Sequence, residues 1–326
     1  MASYSSQEQG PAALDHIADN RYKTGKTYLE ISLLDWMQET QKVRLKIQIR
    51  WDASWRDSEN YDAAWIFCKV QDTNNQWHHA NILPGGYKML ASATSKDLHP
   101  TFELPVDRIG LFVFRGEQSQ GNNNWTISME LDIPGFITVK AVQCLGLEMV
   151  LVPSAPYELG TLKSLNQRRE VLTPGAGGAP YNSFFTYTKA NKDNYGGVYA
   201  VTSEQPITIG TEEGNLFWTD AKIRGTNTFS GVPEGRLEAT FPKGYQGFYQ
   251  MKYELSQAQY CDFLNTLTPV QQQARTIINE LEYQRPIQDY RNAIKINNGI
   301  YTTDRQNRPC NLLSWLDGQA YADWAG

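Results

Sequence analysis

The chain has 326 residues, of which 40% are hydrophobic and 20% charged, and a formal net charge of −5. That balance fits a globular protein with room for two domains; it argues against a wholly disordered chain and against a strongly basic nucleic-acid binder. No apolar run is long enough to cross a bilayer as a helix, so no membrane span is expected.

The opening stretch "MASYSSQEQGPAALDHIADN" is polar and has no apolar signal core, which predicts synthesis in the cytoplasm. Residues 1–29 are expected to form a flexible arm. "KVRLKIQIRW" then gives the clearest periodicity in the chain. Val43, Leu45, Ile47, Ile49 and Trp51 alternate with Arg44, Lys46, Gln48 and Arg50. Period two places the first set on a buried face and the second in water. "AAWIFCKV" is apolar on both faces and reads as a more central strand. "DRIGLFVFRG" and "NWTISMELDI" add further strands, and "QDTNNQ", "LPGGYK" and "EQSQGNNN" supply turns between them. A β-sandwich over residues 30–145 follows. Beyond it, residues 161–245 are rich in Gly, Asn, Thr, Ser and Tyr and hold no sustained period. "GAGG" there lacks the strand and helix that a phosphate loop needs.

Helical signals come late. Ser256 with Gln259 three residues on forms a capping-box pattern, followed by Tyr260, Phe263, Leu264 and Leu267 on one face. A helix is expected from Ser256 to about Leu267, a second over Val270–Tyr283, and a third from Ser314. In that last helix Trp315, Tyr321 and Trp324 are expected to share one face. Such a face needs a cover, expected from another subunit or from further chain of the same protein.

Few residue groups suggest chemistry. Trp51, Trp55, Tyr61 and Trp65, interleaved with Asp52, Asp57 and Asp62, have the makeup of a glycan platform. The alternative is that the tryptophans fill a core and the acids cap turns. Trp51, Trp55, Tyr61 and Asp62 are the candidate ligand-binding set. His78 and His79 are adjacent on a strand, point to opposite faces and are poorly placed to share a metal. The four cysteines, Cys68, Cys144, Cys261 and Cys310, form no C-x-x-C pair, and the first two read as buried free thiols. There is no G-x-S-x-G and no H-E-x-x-H, and the paired acids of "TEEGN" read as solvated surface. No catalytic or metal-ligating residue is assigned.

Three segments carry a resemblance. "MVLVPSAPYELG" (Met149–Gly160), "ELSQAQYCDF" (Glu254–Phe263) and "PCNLLSWLDGQAYADW" (Pro309–Trp324) resemble, in order and spacing, motifs of the formylglycine-generating enzyme, or sulfatase-modifying factor, family. Ala155, Tyr157, Leu159, Gly318 and Ala322 depart from its pattern. "WDASWRDSENYDAAWIFCKV" (Trp51–Val70) is similar to a β-rich segment that precedes this domain in Bacteroidetes proteins. The resemblance implies that residues 146–326 are the N-terminal part of a C-type-lectin-like α+β domain whose second half lies outside this sequence. The family's copper-binding cysteines lie in that second half, so the resemblance passes no catalytic role and no cofactor to this chain. Copper or calcium would enter only with the rest of the domain.

Three functions are therefore carried forward. The first is a non-catalytic structural or ligand-binding subunit of a larger assembly, such as a phage-tail or contractile-injection particle or a surface-display protein, with a glycan or protein receptor as its partner. The second is an oxidase of the formylglycine-generating type, or a related iron-dependent sulfoxide synthase, whose active half lies elsewhere. The third is a carbohydrate-binding module.

Overall fold

In the computed structural model, residues 29–93, 99–133, 135, 137–161, 183–186, 197–219, 234–275 and 292–326 are described. They fall into two compact units. One joins the chain up to Leu151 with Tyr249–Gly326, and the other is Val152–Phe248. The expected arm lies almost wholly outside the described residues.

The first unit opens with eight strands: β1 (Leu29–Glu39), β2 (Lys42–Arg56), β3 (Asp62–Asp72), β4 (Trp77–Ser92), β5 (Pro100–Glu103), β6 (Gly110–Arg115), β7 (Ser119–Asp132) and β8 (Val139–Val152). On one side the order is β1-β2-β7-β4, and on the other β3 pairs with β6 and β8 while β5 pairs with β6. All these pairs are antiparallel. β4 links the two sides: Trp77–Ala80 pair with β3, and from Asn81 onward the strand pairs with β7. The alternation expected of β2 is present. Val43, Leu45, Ile47, Ile49 and Trp51 are each at most 1% exposed, while Arg44, Lys46 and Arg50 face solvent. These side chains meet Ala64, Ile66, Cys68 and Val70 of β3 in the core between the sheets. Gly146 of β8 lets the layers approach, because a Cβ there would lie 2.6 Å from Ile31 Cγ1.

The second unit carries short strands: β9 (Tyr157–Thr161), β10 (Ser183–Thr186), β11 (Gly197–Val201), β12 (Ile207–Ile209), β13 (Leu216–Thr219) and β14 (Gly235–Leu237). β9 pairs with β11, and the others form a sheet in the order β10-β13-β12-β14. Val201, Ile207 and Leu216 make its small core. The Glu204 carboxylate accepts the backbone N–H groups of Lys243, Tyr245 and Gln246 at 2.7, 2.9 and 3.0 Å. Those bonds hold its pKa below the usual carboxylate value. One charged side chain thus organises a loop that has no strand partners of its own. "GAGG" lies outside the described residues.

The chain returns to the first unit through β15 (Phe248–Met251), which pairs with β8. α1 (Gln257–Asn265), α2 (Pro269–Arg275), β16 (Ile294–Asn297), β17 (Ile300–Thr303) and α3 (Trp315–Ala325) follow. Ser256 and Ser314 cap α1 and α3, each with a complete capping box; the one at Ser256 is expected from its spacing to Gln259, and the one at Ser314 is completed by Asp317. The start of the second expected helix is seen as α2, and its remainder, from residue 276 to Tyr283, lies outside the described residues. Tyr260, Phe263 and Leu264 of α1, with Tyr321 and Ala325 of α3, form a second core on Trp65, Phe67, Leu145 and Leu147. Asn265 ties α1 to β17, exchanging both bonds of its amide with the Tyr301 backbone.

The boundary expected at residues 145–146 differs from the one observed. β8 runs through it unbroken, and Tyr249–Gly326 belongs with the sandwich. The physical reason is that β3 and β8 carry a second apolar face, and the late helices cover it.

Ser256 is 2% exposed, so water cannot replace its capping oxygen. We predict that Ser256→Ala lowers stability by about 1–2 kcal/mol, read from urea unfolding midpoints at an unchanged slope.

Candidate functional site

The segment Trp51–Val70, which held the candidate ligand-binding residues, lies where both cores meet. A bulge in β2 between Trp51 and Ser54, with Ala53 at φ +53°, shifts the register on β7. Ser54 turns inward as a result and is fully buried. Its hydroxyl accepts from Arg115 Nη1 at 3.3 Å and from Asn123 Nδ2. Arg115 also donates to Gly121 O at 3.0 Å and to Ser119 Oγ at 2.9 Å.

Asp62 opens β3, and its side chain is inaccessible to solvent. Its Oδ1 accepts the Trp55 backbone N–H at 2.9 Å, and its Oδ2 takes Lys252 Nζ at 3.0 Å. Lys252 also reaches Glu148 Oε2 of β8 at 3.2 Å. One ammonium therefore serves two buried carboxylates. Burial pushes both acids up in pKa against the attraction of Lys252. Burial also works against the Lys252 ammonium, but Glu148 and Asp62 outweigh it and raise its pKa. Trp51 Nε1 and Glu148 Oε1 are buried without a partner in hydrogen-bonding geometry.

At the other end of β3, Lys69 is 5% exposed. Its Nζ donates to Trp324 O at 2.6 Å, at the C-terminus of α3, where a cation is favoured by the helix dipole. Trp65 Nε1 donates to Ala325 O at 2.8 Å. Two strand side chains thus take up the last carbonyls of α3. Lys69 Nζ also lies 2.9 Å from His79 Nδ1, and His79 Nε2 lies 2.7 Å from Ile109 O. These partners assign the proton to Nε2, leaving Nδ1 to accept from Lys69. Burial lowers the Lys69 pKa to about 8. Burial, then the Lys69 charge, lowers that of His79 to about 4.

This arrangement corrects the glycan-platform expectation. Trp51 is fully buried in the inter-sheet core and Asp62 is sealed in its ion cluster. Trp55 is half-buried. Tyr61 stacks on Phe114 at 4.3 Å, and its hydroxyl meets that of Tyr249 at 3.0 Å. Asp57 caps the turn through the N–H groups of Glu59 and Asn60. The four residues present no shared face to a ligand. His78 pairs with Asp72 and His79 with Lys69, on opposite faces as expected.

The single-face expectation for the last helix needs correction too. Tyr321 is 5% exposed and Trp324 half-buried, both packed on Phe263, whereas Trp315 is 81% exposed. Six residues advance a helix by about 600°, leaving Trp315 roughly 120° from Tyr321. The cover over Tyr321 and Trp324 comes from α1 and β3 of the same chain.

Among the described residues, two recesses could admit a ligand. One of about 520 Å³ lies against β1, β2, β4 and β7 and is lined by Trp36, Arg44, Lys46, Tyr87, Lys88 and Glu130 among others. The second unit has one of about 700 Å³ beside Glu204, Lys243 and Phe248. Among the described residues no group of three or more His, Cys, Asp or Glu is placed to hold a metal. Burial raises the Cys261 thiol and pushes Cys310 up to about 12, so neither is a ready thiolate at neutral pH. Comparison of the chain with protein-family models, curated proteins and solved structures finds no match.

Lys252, Glu148, Arg115 and Lys69 were not singled out from the sequence. The available signal was a lone charge inside an apolar run, as in "CLGLEMVLV" and "AAWIFCKV". Lys252→Met is predicted to cost about 3–5 kcal/mol, because it leaves two buried carboxylates unpaired. Adding Asp62→Asn and Glu148→Gln should recover most of that loss in the same unfolding assay.

A pH dependence also follows. Between pH 6.5 and about 4 the unfolded His79 binds a proton that the folded one refuses. Stability should therefore fall as pH drops through that window. His79→Phe, which keeps a ring against Phe67, should flatten this part of the stability–pH curve.

Proposed function

We propose that this chain is a non-catalytic structural and ligand-binding protein, a subunit of a larger assembly of the phage-tail, contractile-injection or surface-display kind. Its sandwich-and-helix unit is the scaffold and its loop-rich unit is the displayed part. The observation that carries this reading is the connection between them. The chain leaves through β8 and returns through β15, two strands that pair with each other. A loop-rich unit inserted between neighbouring strands enters and leaves the scaffold at adjacent positions, a place where insertions and loop variation are well tolerated. The resemblance to the formylglycine-generating enzyme family, with its C-type-lectin-like fold, supports the same reading, since that fold is used to display variable loops.

A second reading is glycan recognition by the sandwich itself. It now rests on the recess containing Trp36, Tyr87, Arg44, Lys46 and Lys88, which combines aromatic and polar groups as sugar sites do.

Replacing Val152–Phe248 with a short Gly/Ser linker tests the scaffold reading. The shortened protein should unfold in one cooperative step with α1 and α3 still formed, and should still join the particle in its source cells, judged by sedimentation. Receptor or glycan binding should disappear with the insert. Retained glycan binding would favour the sandwich recess instead. Stoichiometric formylglycine on a sulfatase-type Cys peptide, with copper and oxygen present, would overturn the non-catalytic reading.

A further inference from the structure

Cys68 and Cys144 are directly opposed partners on β3 and β8. Their Sγ atoms lie 3.5 Å apart, and both thiols are free. Both side chains face the core between the sheets, at 0% and 4% exposure. Cys261 and Cys310 lie on the other side of β3, in or against the helical core. From this juxtaposition we propose that Cys68 and Cys144 are a dithiol that closes into a cross-strand disulfide, stapling β3 to β8.

Directly opposed Cβ atoms in an antiparallel pair lie about 4.5–5.5 Å apart, and a disulfide accepts about 3.5–4.5 Å. Closure therefore asks only for a local adjustment of strands already in register. The oxidant is a small disulfide of the glutathione class. One cysteine thiolate attacks it and expels one small thiolate, giving a mixed disulfide. The second cysteine then attacks the protein sulfur and expels the other. Two protein S–H bonds and one external S–S bond are exchanged for one protein S–S bond and two small-molecule thiols. The pair loses two electrons, the external disulfide gains them, and the two protons pass to the departing thiolates.

Burial decides when this happens. For Cys68 the Cys144 contact and then burial push the thiol pKa well up, and Cys144 is itself only 4% exposed. The folded, reduced pair is therefore slow to react, and exchange belongs to the folding chain, while the sheet is still open. Once formed, the bond closes a loop between residues 76 apart in sequence, which restricts the unfolded chain more than a short loop would. It also fixes the pair of strands on which both cores rest.

The full chain is unfolded in urea with reductant, then refolded with an excess of oxidised glutathione. Free thiols are alkylated under denaturing conditions and the protein is digested. The expected result is a linked pair of peptides holding Cys68 and Cys144, with Cys261 and Cys310 alkylated. The oxidised protein should also unfold at a higher urea concentration than the reduced one, a difference absent in Cys144→Ala. Alkylation of all four cysteines, or a linkage that leaves Cys68 or Cys144 free, overturns the proposal.

Discussion

Strand β3 has no solvent face, and that constraint shapes the first unit. Ile66, Cys68 and Val70 belong to the core between the sheets. Trp65 and Phe67 belong to the core under the helices, together with Leu145 and Leu147 of β8. Burying these four helix-facing side chains is worth roughly 6–12 kcal/mol at about 1.5–3 kcal/mol each. A whole domain has a net stability of only about 5–15 kcal/mol. A sandwich that left this face in water would have little or nothing left. The segment after the inserted unit is therefore part of the sandwich's own stability, although it lies about a hundred residues further along the chain. Gly110 shows how tight the fit is, since a Cβ there would lie 2.3 Å from the Trp65 ring.

Charge fixes the orientation of those layers at both ends of β3. At one end Lys252, just after β15, is held between Asp62 and Glu148. At the other, Lys69 and the Trp65 indole take the last carbonyls of α3. A purely apolar contact tolerates sliding, whereas buried ions and carbonyls have few acceptable positions. The helical layer is thus registered on the sheet by polar groups and stabilised by apolar ones. The same economy explains why the aromatic and acidic residues of Trp51–Val70 offer no open binding face. They serve the junction of two cores.

Part of this was legible in sequence. Strict alternation placed the inward face of β2, because a strand with one wet face leaves a period-two record. The capping box at Ser256 was readable because its partner, Gln259, lies three residues on; at Ser314 only the helix start was read. Apolar residues on both faces marked β3 as central. The partner of its second face was not legible, since nothing local in "AAWIFCKV" says whether a sheet or a distant helix covers it. The bulge at Ala53 left no cue before a residue took positive φ, so the inward turn of Ser54 went unread. Lys252 was invisible as a structural residue because its two carboxylates lie more than a hundred residues upstream. The candidate site was misread for a related reason. Tryptophan beside aspartate has the same composition whether the rings face a ligand or a core, and only burial separates the two.

Native-state hydrogen exchange tests the central claim, that the sandwich and the late helices are one cooperative unit. The account predicts that amides of β3, β8, α1 and α3 exchange through a common opening, with one free energy and one dependence on denaturant. Amides of β9–β14 should open separately and more readily. If α1 and α3 exchanged well before β3 and β8, with the strands still protected, the helices would be an accessory layer and the account would be wrong.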